Sequence, residues 1–170
     1  MDKEPQSQQR KISILMAEDD ADDRLLTQEA FQESQPGKDL LFVQDGEDLM
    51  DYLHHKGKYA DPASAPRPGL ILLDLNMPRK DGREALAEIK ADPALRNIPV
   101  VVMTTSQAEE DVQTSYDRGV SAYITKPVTF AELVDVVKVL GKYWLETVAL
   151  PPSQKNPPQA PPKEYLDPTE

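Results

Sequence analysis

The side chains in this sequence best suited to chemistry are a few acids, one lysine and a hydroxyl run, each standing where an apolar stretch stops. LILLD at 70–74 runs into Asp74, although burying a charge is costly. KISILMA at 11–17 is closed by Glu18-Asp19-Asp20, PVVVM at 99–103 by Thr104-Thr105-Ser106, and SAYIT at 121–125 by Lys126-Pro127. Alone, Asp74 reads equally well as the cap of the turn that follows it. Gathered at one place, Glu18, Asp19 and Asp74 would repel one another and raise at least one pKa unless a cation intervened. An all-carboxylate set without His or Cys suits a hard ion, and Mg²⁺ asks for one or two such groups plus water and substrate oxygens. A lysine facing the same place supplies a second positive charge. Together these make an arrangement for phosphoryl transfer, in which a carboxylate attacks in line and a hydroxyl such as Thr104 bonds the transferred group.

Whether these groups meet depends on the elements that carry them. Short apolar runs at 12–17, 40–44, 70–74, 99–104 and 121–125 read as strands. Between and after them, residues 21–34, 47–56 and 82–92 have helical spacing, with Pro36-Gly37 and Pro93 as breakers. Ser106 with Glu109 has capping-box spacing and predicts a fourth helix through Arg118, ended by Gly119. Thr129 with Glu132 repeats the signal and opens a fifth helix to about Glu146. Five repeats of strand then helix predict a doubly wound α/β domain with a five-stranded parallel sheet covered on both faces. Its buried strands would be continuous apolar runs, as these are, and its connections right-handed. Ligands in such sheets bind at the carboxyl ends of the strands, where Glu18, Asp19, Asp74, Thr104 and Lys126 all fall.

The chain has 170 residues, 39% of them hydrophobic, which is enough for one domain with a core at 11–148. Residues 1–10 are polar and read as disordered, and 149–170 as a flexible tail. The last 20 residues hold seven of the 16 prolines and almost nothing apolar. A net charge of −11 without a local Lys/Arg cluster argues against nucleic-acid binding. No apolar stretch reaches the roughly 18 residues a membrane span needs, and no secretory signal opens the chain. With no Cys, disulfides and thiolate metal sites are excluded, and a reducing cytoplasm is the expected compartment.

EDD after the first strand, DLNMPRKDG after the third, TTS after the fourth and KP after the fifth resemble response-regulator receiver domains, over residues 11–147. The resemblance implies a flavodoxin-like fold and a phosphoryl group accepted by Asp74 from a histidine kinase. It implies Mg²⁺ bound directly by Asp19 and Asp74, through water by Glu18, and by the backbone carbonyl of Asn76. Lys126 would contact the phosphoryl oxygens, and a cis peptide is expected before Pro127. Thr104 and Tyr123 would form a switch pair, the hydroxyl engaging the phosphate and the ring turning inward. The stretches DGEDLMDYLHHKGKY, LLDLNMPRKDGREALAEIK, TTSQAEEDVQTSY and YWLETVALP further resemble phytochrome-associated response regulators. These are single-domain partners of light-sensing kinases, with no separate catalytic output domain. Two features depart from the commonest receiver pattern: a longer 57–69 loop, and Thr105 where a smaller residue is common.

The fifth helix carries more apolar surface than one sheet face needs. Leu133, Val136, Val137, Leu140 and Trp144 form a stripe, widened by Val139 and Tyr143 on one side and by Val134 and Leu145 on the other. Either the tail folds back over the surplus or two subunits share it. Family resemblance favours a homodimer through the fourth and fifth helices, with Tyr143, Trp144 and Val148 in the contact. His54 and His55, neighbours on a helix, point about 100° apart and read as exposed residues rather than ligands. Two rival functions remain open. One is a Mg²⁺-dependent phosphatase or hydrolase with Asp74 as nucleophile, which would want a second acid where the chain has Asn76. The other is a scaffold that is never phosphorylated, against which the complete set Asp19, Asp74, Thr104 and Lys126 counts.

Overall fold

The computed structural model describes residues 12–143. The expectations for 1–10, for the 149–170 tail and for Trp144, Leu145 and Val148 lie outside them. Five strands, β1 (Ser13–Ala17), β2 (Asp39–Val43), β3 (Leu70–Leu73), β4 (Val100–Thr104) and β5 (Ala122–Thr125), form one sheet in the order β2-β1-β3-β4-β5. Every pairing is parallel. The helices are α1 (Ala21–Ser34), α2 (Gly46–Leu53), α3 (Gly82–Ala91), α4 (Glu109–Asp117) and α5 (Phe130–Leu140).

Side chains alternate across a strand, so each apolar run feeds two cores. Ile14, Met16, Leu70, Leu72, Val101 and Met103 pack with Ala30 and Phe31 of α1 and with Leu133, Val134, Val137 and Leu140 of α5. Leu15, Ala17, Ile71, Leu73, Val100 and Val102 pack on the other face with Leu49 of α2 and with Leu86 and Ile89 of α3. This double burial is why the strands show no polar alternation. Strand order reverses beside β1, with β2 on one side and β3 on the other, which opens the crevice at the carboxyl ends of β1 and β3.

The start of α4 differs from the sequence reading. α4 starts at Glu109 with Ala108 as an N-cap residue that has no side-chain cap, while the Ser106 hydroxyl donates to Asp111 Oδ2 at 2.6 Å and accepts the Ala108 amide at 3.4 Å. α5 is regular to Leu140 and 141–143 continue as a wider π-type turn, while the expected end near Glu146 lies outside the described residues. The other predicted capping box forms, with Thr129 Oγ1 accepting the Glu132 amide at 3.1 Å. Val139 on α5 and Tyr143 in the turn after it stand 65% and 54% exposed, which leaves part of the apolar surplus on the surface. The 57–69 loop contains a short 3₁₀ turn (Gly57–Tyr59) and is stitched to α2. Tyr52 donates to the Pro66 carbonyl and Tyr59 to Asp48 Oδ1, both at 2.8 Å. His54 and His55 are exposed just past the end of α2, and the backbone turns left-handed at His55.

One close approach positions the site. Gly82 opens α3 with its Cα against the Asp74 carbonyl and Leu75, so that an added Cβ would collide with backbone rather than with a movable side chain. The Gly82 amide also donates to the Leu75 carbonyl at 3.0 Å, closing the turn that follows Asp74. Gly82→Ala is expected to cost about 1–3 kcal/mol in urea denaturation, typical of overpacking against atoms that cannot move away. Wild-type stability in that variant would show that the turn yields freely.

Candidate functional site

Backbone hydrogen bonds set the stems of the site residues before any side chain acts. The Asp74 amide donates to the Ala17 carbonyl at 3.2 Å, and the Glu18 amide to the Val43 carbonyl at 3.0 Å. The Lys126 amide donates to the Thr104 carbonyl at 2.8 Å. Each residue is thereby tied to the neighbouring strand one step past the end of its own, and the heads converge over the crevice.

Asp74 is buried at 5% exposure and its two oxygens are differently engaged. Oδ1 accepts the Thr104 hydroxyl at 2.8 Å and the Asn76 amide at 3.1 Å, while Oδ2 accepts the Lys126 ammonium at 2.9 Å. That ammonium also lies 2.5 Å from Glu18 Oε1 and 2.9 Å from Asp23 Oδ2. Burial alone would strip its proton, but the three carboxylates outweigh that and hold its pKa above the ordinary lysine value. Glu18 is fully enclosed, and burial pushes its carboxyl up to about 7 against the lowering pull of Lys126 and of the Asp20 amide. Donor oxygens of Glu18, Asp19 and Asp74 lie within 4.8 Å of one another, with Asp19 exposed to solvent. Three hard oxygen donors, one of them a buried acid short of compensating charge, fit a divalent cation of the Mg²⁺ or Mn²⁺ kind.

The structure thus brings together Glu18, Asp19, Asp74, Thr104 and Lys126. Asn76 is tied to the same carboxylate through its amide. Tyr123 stands apart from Asp74: its ring packs on the α2/α3-side core and its hydroxyl donates to the Ser106 carbonyl at 2.9 Å, two residues beyond Thr104. The cis peptide expected before Pro127 is absent, as no cis bond occurs among the described residues. The trans form is intrinsically favoured by about 0.5–1 kcal/mol, and with it Lys126 Nζ lies 2.9 Å from Asp74 Oδ2.

Sequence reasoning missed two groups. Asp23, in the first turn of α1, is the third acceptor of Lys126. A first-turn acid five residues after Glu18 was the available signal, since a helix that begins at a strand end points its opening turn back at the rim. The second is Arg83, whose Nε and Nη2 make a fork on Asp111 at 2.7 and 2.6 Å. Arg83 and Ser106 hold the Asp111 carboxyl down at about 2. No local signal in the sequence pairs residues of α3 and α4 in this way.

The raised Glu18 pKa carries a signed consequence. A folded pKa of about 7 above the ordinary 4.5 means that the folded, metal-free chain binds this proton more tightly than the unfolded chain. Its contribution to stability is therefore full below the unfolded value and is lost as pH rises through the folded one. In chelator, denaturation of wild type and Glu18→Gln from pH 4.5 to 7.5 should show the difference moving against the wild type by on the order of 2 kcal/mol. Parallel profiles would remove this assignment.

Comparison with known proteins completes the description. Residues 14–138 match the response regulator receiver domain family. Response regulator Rcp1 of Synechocystis sp. is 47% identical over 138 residues, 81% of this chain and 92% of that one. A solved structure of the phosphorylated cyanobacterial phytochrome response regulator RcpA is 48% identical with a TM-score of 0.77, covering 83% of this chain and 99% of RcpA. The Mn²⁺-bound form of Rcp1 is 46% identical with a TM-score of 0.75, over 83% of this chain and 99% of that one. With five parallel strands in the flavodoxin-like order and the acids, hydroxyl and lysine at their carboxyl ends, this chain belongs to the response-regulator receiver family.

Proposed function

We propose that the protein is a two-component phosphorelay response regulator whose Asp74 takes a phosphoryl group from a sensor histidine kinase of the phytochrome type. The observation that carries this reading is the Asp74 carboxylate itself. Thr104 and the Asn76 amide hold one of its oxygens, Lys126 holds the other, and two further acids stand within metal-binding distance. In the transfer, the phosphorus leaves the donor imidazole nitrogen and bonds to an Asp74 oxygen. The P–N bond breaks with its electron pair staying on the imidazole, which takes up a proton, and an acyl phosphate results. Mg²⁺, held by Asp19, Asp74, the Asn76 carbonyl and, through water, Glu18, would offset charge on the phosphoryl oxygens. Lys126 stays protonated and offers N–H donors to the same oxygens. The Thr104 hydroxyl, already aimed at the carboxylate, is placed to follow the charge onto the new group.

The switch reading rests on the short path from Thr104 to Ser106, whose carbonyl holds the Tyr123 hydroxyl. A shift of Thr104 toward a phosphoryl group would pull on that carbonyl and release the ring inward. The surface that changes lies along α4, β5 and α5, where Tyr116 and Val139 are exposed. A homodimer through α4 and α5, with Tyr143, Trp144 and Val148, belongs to the same proposal. So do a cytoplasmic location and the absence of nucleic-acid and membrane partners. In keeping with these, net charge is −11, and no helix among the described residues is long and apolar enough to cross a membrane. Relatives named as phytochrome response regulators support the choice of kinase. The hydrolase reading is disfavoured because position 76 offers an amide where that chemistry wants an acid.

Phosphotransfer from candidate kinases, and labelling by acetyl phosphate with Mg²⁺, test the assignment. Wild type is expected to carry one base-labile phosphoryl group, and Asp74→Asn to lose at least about 100-fold of the labelling rate. Equal labelling of both proteins would remove the nucleophile. Multiple turnover would favour the hydrolase, and no label the scaffold. For the dimer, Trp144→Glu should sediment as a monomer, and a dimer persisting in that variant would refute the contact.

A further inference from the structure

Lys126 has three carboxylate partners, and they are not equivalent. Glu18 and Asp74 belong to the acid cluster that can hold a cation, whereas Asp23 does not. An ammonium has three N–H donors, so the three acids together saturate it. Once a cation and a phosphoryl group draw on Glu18 and Asp74, Asp23 is the one partner left with no other task.

Asp23 is built to stay in place. Its amide donates to Asp20 Oδ1 at 3.2 Å, and its carbonyl accepts the buried Thr27 hydroxyl at 2.8 Å. The opening turn of α1 is thereby pinned at both ends of the residue. On the other side, the Lys126 backbone is fixed to the Thr104 carbonyl. The lysine stem thus runs between two fixed points, with its head 2.9 Å from both Asp23 and Asp74.

We infer that Asp23 is a positioning residue for phosphoryl transfer, anchoring the Lys126 ammonium at the rim while Glu18 and Asp74 serve the cation and the phosphoryl group. The inference rests on the phosphoacceptor reading of Asp74. Asp23 is 40% exposed at its side chain and Lys126 14%, so the pair is half-solvated and adds little to stability. Its effect falls on where the ammonium sits, and small displacements of a charge-stabilising group are costly to rate.

The test is the kinetics of acetyl phosphate labelling of the full chain, with Mg²⁺ binding measured separately by calorimetry and Tm by melting. Asp23→Ala should lower the saturating labelling rate about tenfold. The half-saturating acetyl phosphate concentration and the Mg²⁺ affinity should stay within about twofold, and Tm should hardly move. An unchanged rate would overturn the inference, as would a Mg²⁺ affinity falling in step with the rate or a melting loss large enough to account for it. A wild type that takes no label at all overturns the phosphoacceptor reading, and this inference with it. A labelled wild type matched by Asp23→Ala overturns this inference alone.

Discussion

A single ammonium holds the rim of this sheet together. Glu18, Asp23 and Asp74 come from the end of β1, the start of α1 and the end of β3, and all three meet at Lys126 Nζ. Removing the ammonium would leave Glu18 and Asp74 buried without compensating charge, which costs far more than a surface ion pair contributes. Two of the three acids are also nearly inaccessible to water. The rest of the architecture follows from the need to bring the ammonium there. In the order β2-β1-β3-β4-β5, two strand spacings, about 10 Å, separate β5 from β3. The chain closes that gap by folding Lys126 over the end of β4, where the Thr104 carbonyl receives its amide.

Around this centre a second polar chain leads away from the acids. Arg83 forks onto Asp111, Asp111 takes the Ser106 hydroxyl, and the Ser106 carbonyl takes the Tyr123 hydroxyl. It links the start of α3, the β4–α4 connection and the edge strand β5. The Tyr123 amide is in turn held by the Tyr116 hydroxyl at 3.2 Å, so α4 and β5 are fastened at both ends of the tyrosine. Hydrogen bonds of ordinary length therefore join the β4–α4 connection to the β5 edge.

Fold class, strand count and the meeting of Glu18, Asp19, Asp74, Thr104 and Lys126 were all legible in the sequence. Parallel sheets advertise themselves through unbroken apolar runs, and chemistry in them collects at one set of strand ends. Local signals were less reliable where a tertiary contact competed for the same group. Ser106 has the spacing of a capping residue, yet its hydroxyl donates to Asp111, which Arg83 also holds, and α4 begins only at Glu109. The Lys126–Pro127 bond is trans, and neither residue by itself determines that choice. Asp23 was hidden because it looks like one more acid in a solvated first turn. Only the path of the lysine from the far side of the sheet gives it a partner.

The amides of Glu18, Asp74 and Lys126 are each moored to the carbonyl of an adjacent strand, so main chain seats the three residues before any side chain acts. Side chains there can be exchanged while the mooring stays. Exchanging a side chain at one of these positions changes what the rim carries without removing the hydrogen bond that seats it. The scaffold thus separates the seating of the site from its chemistry.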